Sequence, residues 1–128
     1  MQARPNWPLA LYGLGRAYLQ RGDLRNAEAA FAKATENAPN MVDAWFELGI
    51  ARRNQGSTGP AVDALSKAVQ LQPSHAEAWL YLGLSYEESG ARAEAAAAFE
   101  RSRDAAQSPE VRSQAEEGLA RVRDAFAA

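Results

Sequence analysis

A lone histidine, two carboxylate pairs and a glycine-rich turn are the residues of this chain whose types could do chemistry, and their spacing brings none of them into a working set. His75 is the only histidine, it stands beside Ser74 where a helix is expected to begin, and there is no cysteine anywhere. A metal centre gathers three or four such ligands, and a nucleophilic triad places a histidine between a nucleophile and an acid. Neither can be assembled here, so His75 reads as a solvent-exposed turn residue. Glu87-Glu88 and Glu116-Glu117 are adjacent in sequence, but adjacent helix residues do not face each other, and they read as solvated faces. Gly56-Ser57-Thr58-Gly59-Pro60 has the look of a phosphate-cradling loop, yet it follows an expected helix rather than a strand and lacks the lysine that would reach a phosphate. It reads as a turn. No catalytic residue, cofactor site or metal site is expected.

The elements that carry these residues come from a repeat. Shifted by thirty-four residues, Gly15 falls on Gly49 and Gly83, Leu14 on Leu48 and Leu82, Gly22 on Gly56 and Gly90, Ala27 on Ala61 and Ala95, and Pro5 on Pro39 and Pro73. Units of this size are too small to bury their own apolar faces, so each must cover its neighbour. Within a unit, Leu11, Leu14, Gly15 and Tyr18 share one helical face, and Leu24, Ala27, Phe31 and Ala34 share a second. Two antiparallel helices per unit follow. Gly22, Gly56 and Gly90 stand at the turn between them, where a helix end favours a left-handed residue. Asn40 and Ser74 are expected to cap the next helices after Pro39 and Pro73. Gly15, Gly49 and Gly83 sit inside helices, where glycine costs about 1 kcal/mol relative to alanine. Close approach offsets that cost if Phe31, Leu65 and Phe99 pack on the bare backbone.

Bulk composition narrows the function. The 128 residues suffice for one domain, and a chain near this size buries roughly 68% of its unfolded surface. Fourteen basic residues against sixteen acidic ones leave a net charge of -2 without a Lys/Arg block, which argues against nucleic acid. No apolar run approaches the length of a membrane span, and residues 1 to 20 lack the pattern of a signal peptide. The chain reads as soluble, with the cytoplasm favoured and the cell envelope an alternative if it is cut from a longer protein. Its Ala- and Arg-rich make-up fits a bacterial source of high genomic GC content.

The repeated residues resemble the tetratricopeptide repeats. The first copy reads Leu11, Leu14-Gly15, Tyr18, Gly22, Ala27, Phe31, Ala34 and Pro39. The second reads Trp45, Leu48-Gly49, Arg52, Gly56, Ala61, Leu65, Ala68 and Pro73, and the third Trp79, Leu82-Gly83, Tyr86, Gly90, Ala95, Phe99, Ser102 and Gln107. The resemblance covers residues 8 to 109 and implies an all-α fold, a right-handed superhelical α-solenoid of three helix-turn-helix units at 8–41, 42–75 and 76–109. Trp45 and Trp79 then belong to packing rather than to ligand stacking. Two departures stand out. Arg52 replaces the usual tyrosine, weakening the middle pair unless its stem packs and its head reaches water, and Gln107 replaces the closing proline.

The two ends differ. Ser108-Pro109 opens a seventh helix over 110–128 with Val111, Ala115, Leu119, Val122 and Phe126 on one face and Arg112, Glu116, Glu117, Arg121, Arg123 and Asp124 on the other. It has the pattern of a terminal cap, with Glu117 and Arg121 spaced for a pair along the helix. At the other end Ala3-Arg4-Pro5-Asn6 is in phase with Asn37-Ala38-Pro39-Asn40. Residues 1–7 therefore read as the tail of a preceding repeat, and the chain as a segment of a longer protein. Trp7, Leu9 and Leu11 are expected to leave apolar surface exposed and to offer a route to a homo-oligomer.

What the resemblance implies for function is a concave groove lined by the first helix of each unit. The matching positions are Leu9, Tyr12, Arg16, Leu19 and Gln20; then Asp43, Phe46, Ile50, Arg53 and Asn54; then Glu77, Leu80, Leu84, Glu87 and Glu88. Aromatic and aliphatic anchors inside a polar rim are what a protein-binding surface needs. The candidate contact residues are Tyr12, Arg16, Leu19, Phe46, Ile50, Arg53, Asn54, Leu80, Leu84 and Glu87. Their charge order suggests a ligand acidic near Arg16 and Arg53 and basic near Glu77, Glu87 and Glu88. Some family members clamp a chaperone's C-terminal carboxylate with Lys, Asn and Arg; the matching places here hold Tyr12, Arg16, Glu47, Glu77 and Tyr81, so that clamp is absent. The expected function is a non-enzymatic protein-interaction scaffold for a peptide or partner protein. The alternatives are self-assembly through the N-terminal end, or the regulatory or scaffolding segment of a larger enzyme.

Overall fold

A computed structural model describes the backbone of residues 7–127 and the side chains of residues 7–124. The in-phase segment Ala3-Arg4-Pro5-Asn6 and the side chain of Phe126 lie outside the described residues. Seven helices follow one another: α1 (Trp7–Gln20), α2 (Leu24–Asn37), α3 (Val42–Asn54), α4 (Thr58–Leu71), α5 (Ala76–Glu88), α6 (Arg92–Ala105) and α7 (Pro109–Ala127). Each packs on the next, and α1, α3, α5 and α7 also touch in series along one side. The result is a right-handed α-solenoid of three helix pairs and a final single helix.

The turns inside the pairs are alike because their hydrogen bonds are alike. Gly22, Gly56 and Gly90 adopt φ of 77°, 83° and 83°, and the following N–H reaches back to Tyr18, Arg52 and Tyr86 carbonyls at 2.9 Å each. This closes the first helix in the left-handed manner that glycine permits. Between pairs, the Trp45 and Trp79 indoles donate Nε1–H to the Pro39 and Pro73 carbonyls at 2.8 and 2.7 Å. Both tryptophans are thus half-buried struts that tie each new pair to the turn before it.

The helix starts differ from the expected caps. The residue before α3 is Met41, with no side-chain cap, and the residue before α5 is His75, whose Nδ1 accepts from the Ala78 N–H at 3.1 Å. Each helix begins one residue later than Asn40 or Ser74 would require, because the Met41 and His75 N–H groups first close a turn onto the Ala38 and Gln72 carbonyls. His75 is therefore a half-buried cap, not an exposed turn residue, and its ring meets Phe46 at a tilt of 41°, centroids 4.7 Å apart.

The core follows the repeated small residues. A Cβ placed on Gly15, Gly49 or Gly83 would fall within 2.5 to 2.7 Å of Phe31, Leu65 or Phe99, so these rings and branches do lie on bare backbone. Phe99 is enclosed twice, since Gly118 of α7 presses on the tip of the same ring. Ala115, Leu119 and Val122 of α7 complete this cluster together with Leu80 and Ala95. Arg52, at the tyrosine position, does more than send its head to water: Nε donates to Glu28 Oε2 at 3.1 Å and Nη1 to the Pro60 carbonyl at 3.1 Å. Gln55 donates to the other Glu28 oxygen at 2.8 Å. The hydrogen bond from Gln55, together with the Arg52 guanidinium, holds the Glu28 carboxyl below its usual range against the opposing effect of burial.

The first pair lacks a cover. Leu14 is 47% exposed, whereas Leu48 and Leu82 at the matching positions are 1% and 3% exposed. The difference is neighbourhood: Leu48 packs with Ala27 and Phe31 of the pair before it, and no described helix stands in that place for Leu14. Leu11 differs from expectation. It is 7% exposed and packs with Ala34 and Ala44, so the open apolar face consists of Trp7, Leu9 and Leu14 instead.

Candidate functional site

Because α1, α3, α5 and α7 lie side by side, residues one repeat apart on them become neighbours across the concave face. At its N-terminal end Tyr12 is half-buried, its ring 5.9 Å from Phe31, with the Arg16 guanidinium 5.9 Å from the Tyr12 centroid. Arg16 Nε lies 3.9 Å from Glu47 Oε2. Burial raises the Glu47 carboxyl above its usual range; Arg16 pulls it back down, while Asp43 and Glu77 push it up. Burial and the Glu47 and Asp43 charges likewise raise the Tyr12 hydroxyl. Leu19 sits at the edge of the cluster around Phe31 and Leu48.

The middle of the face is aromatic. Phe46 meets Tyr81 edge-on at 5.9 Å, and the Arg53 guanidinium lies over the other part of the same tyrosine at 5.7 Å. Arg53 Nη2 donates to Glu88 Oε2 at 2.8 Å. Its Nε is buried without a partner. Ile50 is half-buried beside this shelf, and Asn54 closes α3 exposed to water.

The last repeat departs from the open groove that its residues suggest. Leu80 is 4% exposed and belongs to the cluster with Phe99, Leu119 and Val122. Glu87 receives two hydrogen bonds from Arg121, from Nε and Nη2, at 2.9 Å each. Those bonds hold its carboxyl below the usual range, burial acting the other way. Both positions face α7, which leans over α5 rather than only sealing α6. Arg121 likewise spends its hydrogen bonds on Glu87 rather than on Glu117 of its own helix. What remains open between α5 and α7 is a crevice of about 210 Å³ lined by Leu80, Tyr81, Leu84, Gln114, Glu117 and Arg121.

Arg53 is thus hydrogen-bonded to Glu88, and Arg16, half-exposed, stands within ionic reach of Glu47. Tyr81, His75 and the α7 residues Gln114, Glu117 and Arg121 join the face without having been among the candidate contacts. Tyr81 was detectable in the repeat register, one position beyond the match of Phe46. The α7 residues lie on a helix that lacks the Leu-Gly pattern of the units and carry no such signal.

Among the described residues no group of three or more His, Cys, Asp or Glu side chains is placed to hold a metal ion. No described helix is long and apolar enough to cross a membrane.

Several solved structures share this architecture. The first TPR of Spaghetti (RPAP3), solved with the HSP90 peptide SRMEEVD, is similar over 100% of this chain and 99% of that one, at 19% identity and a TM-score of 0.90. The translocator chaperone SycD of Yersinia enterocolitica type III secretion matches over 99% and 90%, at 16% identity and a TM-score of 0.91. A T3SS complex from Aeromonas hydrophila matches over 97% and 85%, at 18% identity and a TM-score of 0.92. Likeness at these identities is one of fold. No curated protein matches the sequence. The profile of the tetratricopeptide repeat does match, over residues 12–70 and 55–109. Since those segments span most of the helix pairs and well over half of the residues, the chain belongs to the tetratricopeptide repeat family.

Proposed function

We propose that the chain is a non-enzymatic scaffold that holds a peptide or a segment of a partner protein along the concave side of α1, α3 and α5. The observation that carries this is the shelf of Phe46 and Tyr81. Two aromatic rings stand edge to face at 5.9 Å, half-exposed on a surface where solvation alone would favour polar residues. Tyr12, Ile50 and Leu84 extend it, and Arg16, Arg53 and Glu88 form a polar rim. Rigid aromatic anchors within a polar rim are the usual energetic centre of a protein interface. Family membership and the peptides bound by Spaghetti and by SycD in complex with a YopD peptide support the same reading. The carboxylates of the face are committed to ion pairs or to solvent, which favours binding over catalysis. The test is affinity capture from the source cells with the purified chain and with a Phe46→Ala, Tyr81→Ala variant whose helicity is unchanged. Partners retained by the first and lost by the second are expected; an identical retained set overturns the reading.

A second reading, self-assembly through α1, is favoured by the 47% exposure of Leu14 where its repeat equivalents are buried. Sedimentation over a range of concentrations tests it. A concentration-dependent dimer abolished by Leu14→Glu is expected, and a monomer throughout excludes it.

A further inference from the structure

The concave face pairs its cations internally and leaves its spare charge negative. Each adjacent pair of first helices is stitched by one arginine and one glutamate: Arg16 with Glu47 from α1 to α3, Arg53 with Glu88 from α3 to α5, and Arg121 with Glu87 from α7 to α5. Three arginines are consumed one for one. Among the described residues Asp43 and Glu77 form no ion pair, and Glu117 feels the Arg121 charge but takes none of its hydrogen bonds, which go to Glu87; the three are spaced along the same face, one each on α3, α5 and α7. Asp43 and Glu77 act on Glu47 as like charges. Glu117 stands at the rim of the crevice whose floor is Leu80 and Leu84.

Resting on the reading of this face as a binding groove, we infer that its ligand is a cationic amphipathic segment, with lysine or arginine residues flanking apolar anchors. The anchors lie on the Phe46–Tyr81 shelf, and the cations meet Asp43, Glu77 and Glu117. The α5–α7 crevice takes one such side chain, its aliphatic stem on Leu80 and Leu84 and its charged head at Glu117. An acidic ligand would have to draw the Arg53 guanidinium away from Glu88 and compete for the Arg16 charge with Glu47, a largely buried carboxyl, a penalty that a cationic ligand avoids. A ligand cation near Asp43 and Glu77 also relieves the repulsion that those carboxylates exert on Glu47.

The test is selection from a random-peptide phage library on the intact chain, run in parallel on Phe46→Ala. Peptides that depend on Phe46 are expected to carry excess Lys and Arg beside apolar residues. A synthetic peptide of that consensus is expected to bind an Asp43→Asn, Glu77→Gln, Glu117→Gln variant roughly ten-fold more weakly and to lose affinity as salt is added. The three amide replacements touch no ion pair of the fold, and circular dichroism verifies that the variant is intact. Phe46-dependent peptides that are neutral or acidic, or cationic ones indifferent to the triple replacement, overturn the charge inference and leave the groove standing. Absence of any Phe46-dependent peptide overturns the groove itself.

Discussion

Arg121 grips Glu87 at two points, Nε on Oε2 and Nη2 on Oε1, both at 2.9 Å, across exactly the spacing of one repeat. Among the described residues the pair is the only two-point charge contact between α7 and the concave side, and it lies where α7 leans over α5. It lies at the rim, where such pairs contribute about 0.5–1 kcal/mol. Arg121→Ala is therefore expected to leave the midpoint of thermal unfolding nearly unchanged, because Leu119 and Val122 still anchor the helix. Hydrogen exchange in α7 is the sensitive readout. Its amides are expected to exchange several-fold faster in the variant, while those of α3 and α4 do not change.

Phe99 is packed between two bare backbones, Gly83 on α5 and Gly118 on α7, each of which would place a Cβ within 2.7 Å of the ring. A flat ring held along one side and at its tip has little room to move. Gly83→Ala is expected to destabilise the fold by about 2 kcal/mol. Gly49→Ala meets Leu65 at Cγ and Cδ2, a smaller side chain than the Phe99 ring, and is expected to cost less. Chemical denaturation of the two variants side by side checks the order.

These two relationships mark how far the amino-acid sequence could be read. The pairing of Gly83 with Phe99 follows from the period, because a glycine recurring inside a helix has to be matched by a large residue recurring on its partner. The turn glycines follow in the same way. Gly118, Arg121 and the burial of Leu80 do not, because α7 lacks the Leu-Gly pattern of the units and its tilt over α5 arises from packing that no spacing records. His75 as a cap was missed for a smaller reason: the helix starts one residue later than the nearest serine, and an imidazole lone pair serves where a hydroxyl was expected.

Ser85 occupies the position held by Ala51 one repeat earlier, and its hydroxyl is fully buried with no partner. Ser102, at the position of Ala68, is equally buried but donates to the Ala76 carbonyl at 2.8 Å. The two serines therefore predict opposite outcomes. Ser85→Ala removes an unsatisfied hydroxyl and is expected to stabilise by about 1 kcal/mol, whereas Ser102→Ala loses a buried bond and is expected to destabilise by a similar amount. Differential scanning calorimetry of both variants decides.

Glu47 and Glu87 give the pH dependence opposite signs. The Glu87 carboxyl lies below its unfolded value because Arg121 donates to it, so its contribution is present above the unfolded pKa and disappears as pH falls through the folded one. The Glu47 carboxyl lies above its unfolded value, chiefly through burial, so the folded state holds that proton more tightly. Its contribution is complete below the unfolded pKa and is lost as pH rises through the folded one. Glu47→Gln keeps the shape while removing the charge that burial, Asp43 and Glu77 oppose. Relative to the parent chain, the variant is expected to gain stability as pH rises from the acid range to neutrality, and Glu87→Gln is expected to lose it over the same interval. Urea unfolding of both variants at acid and neutral pH checks this; parallel pH profiles for the two would show that neither carboxyl is perturbed by its surroundings as described.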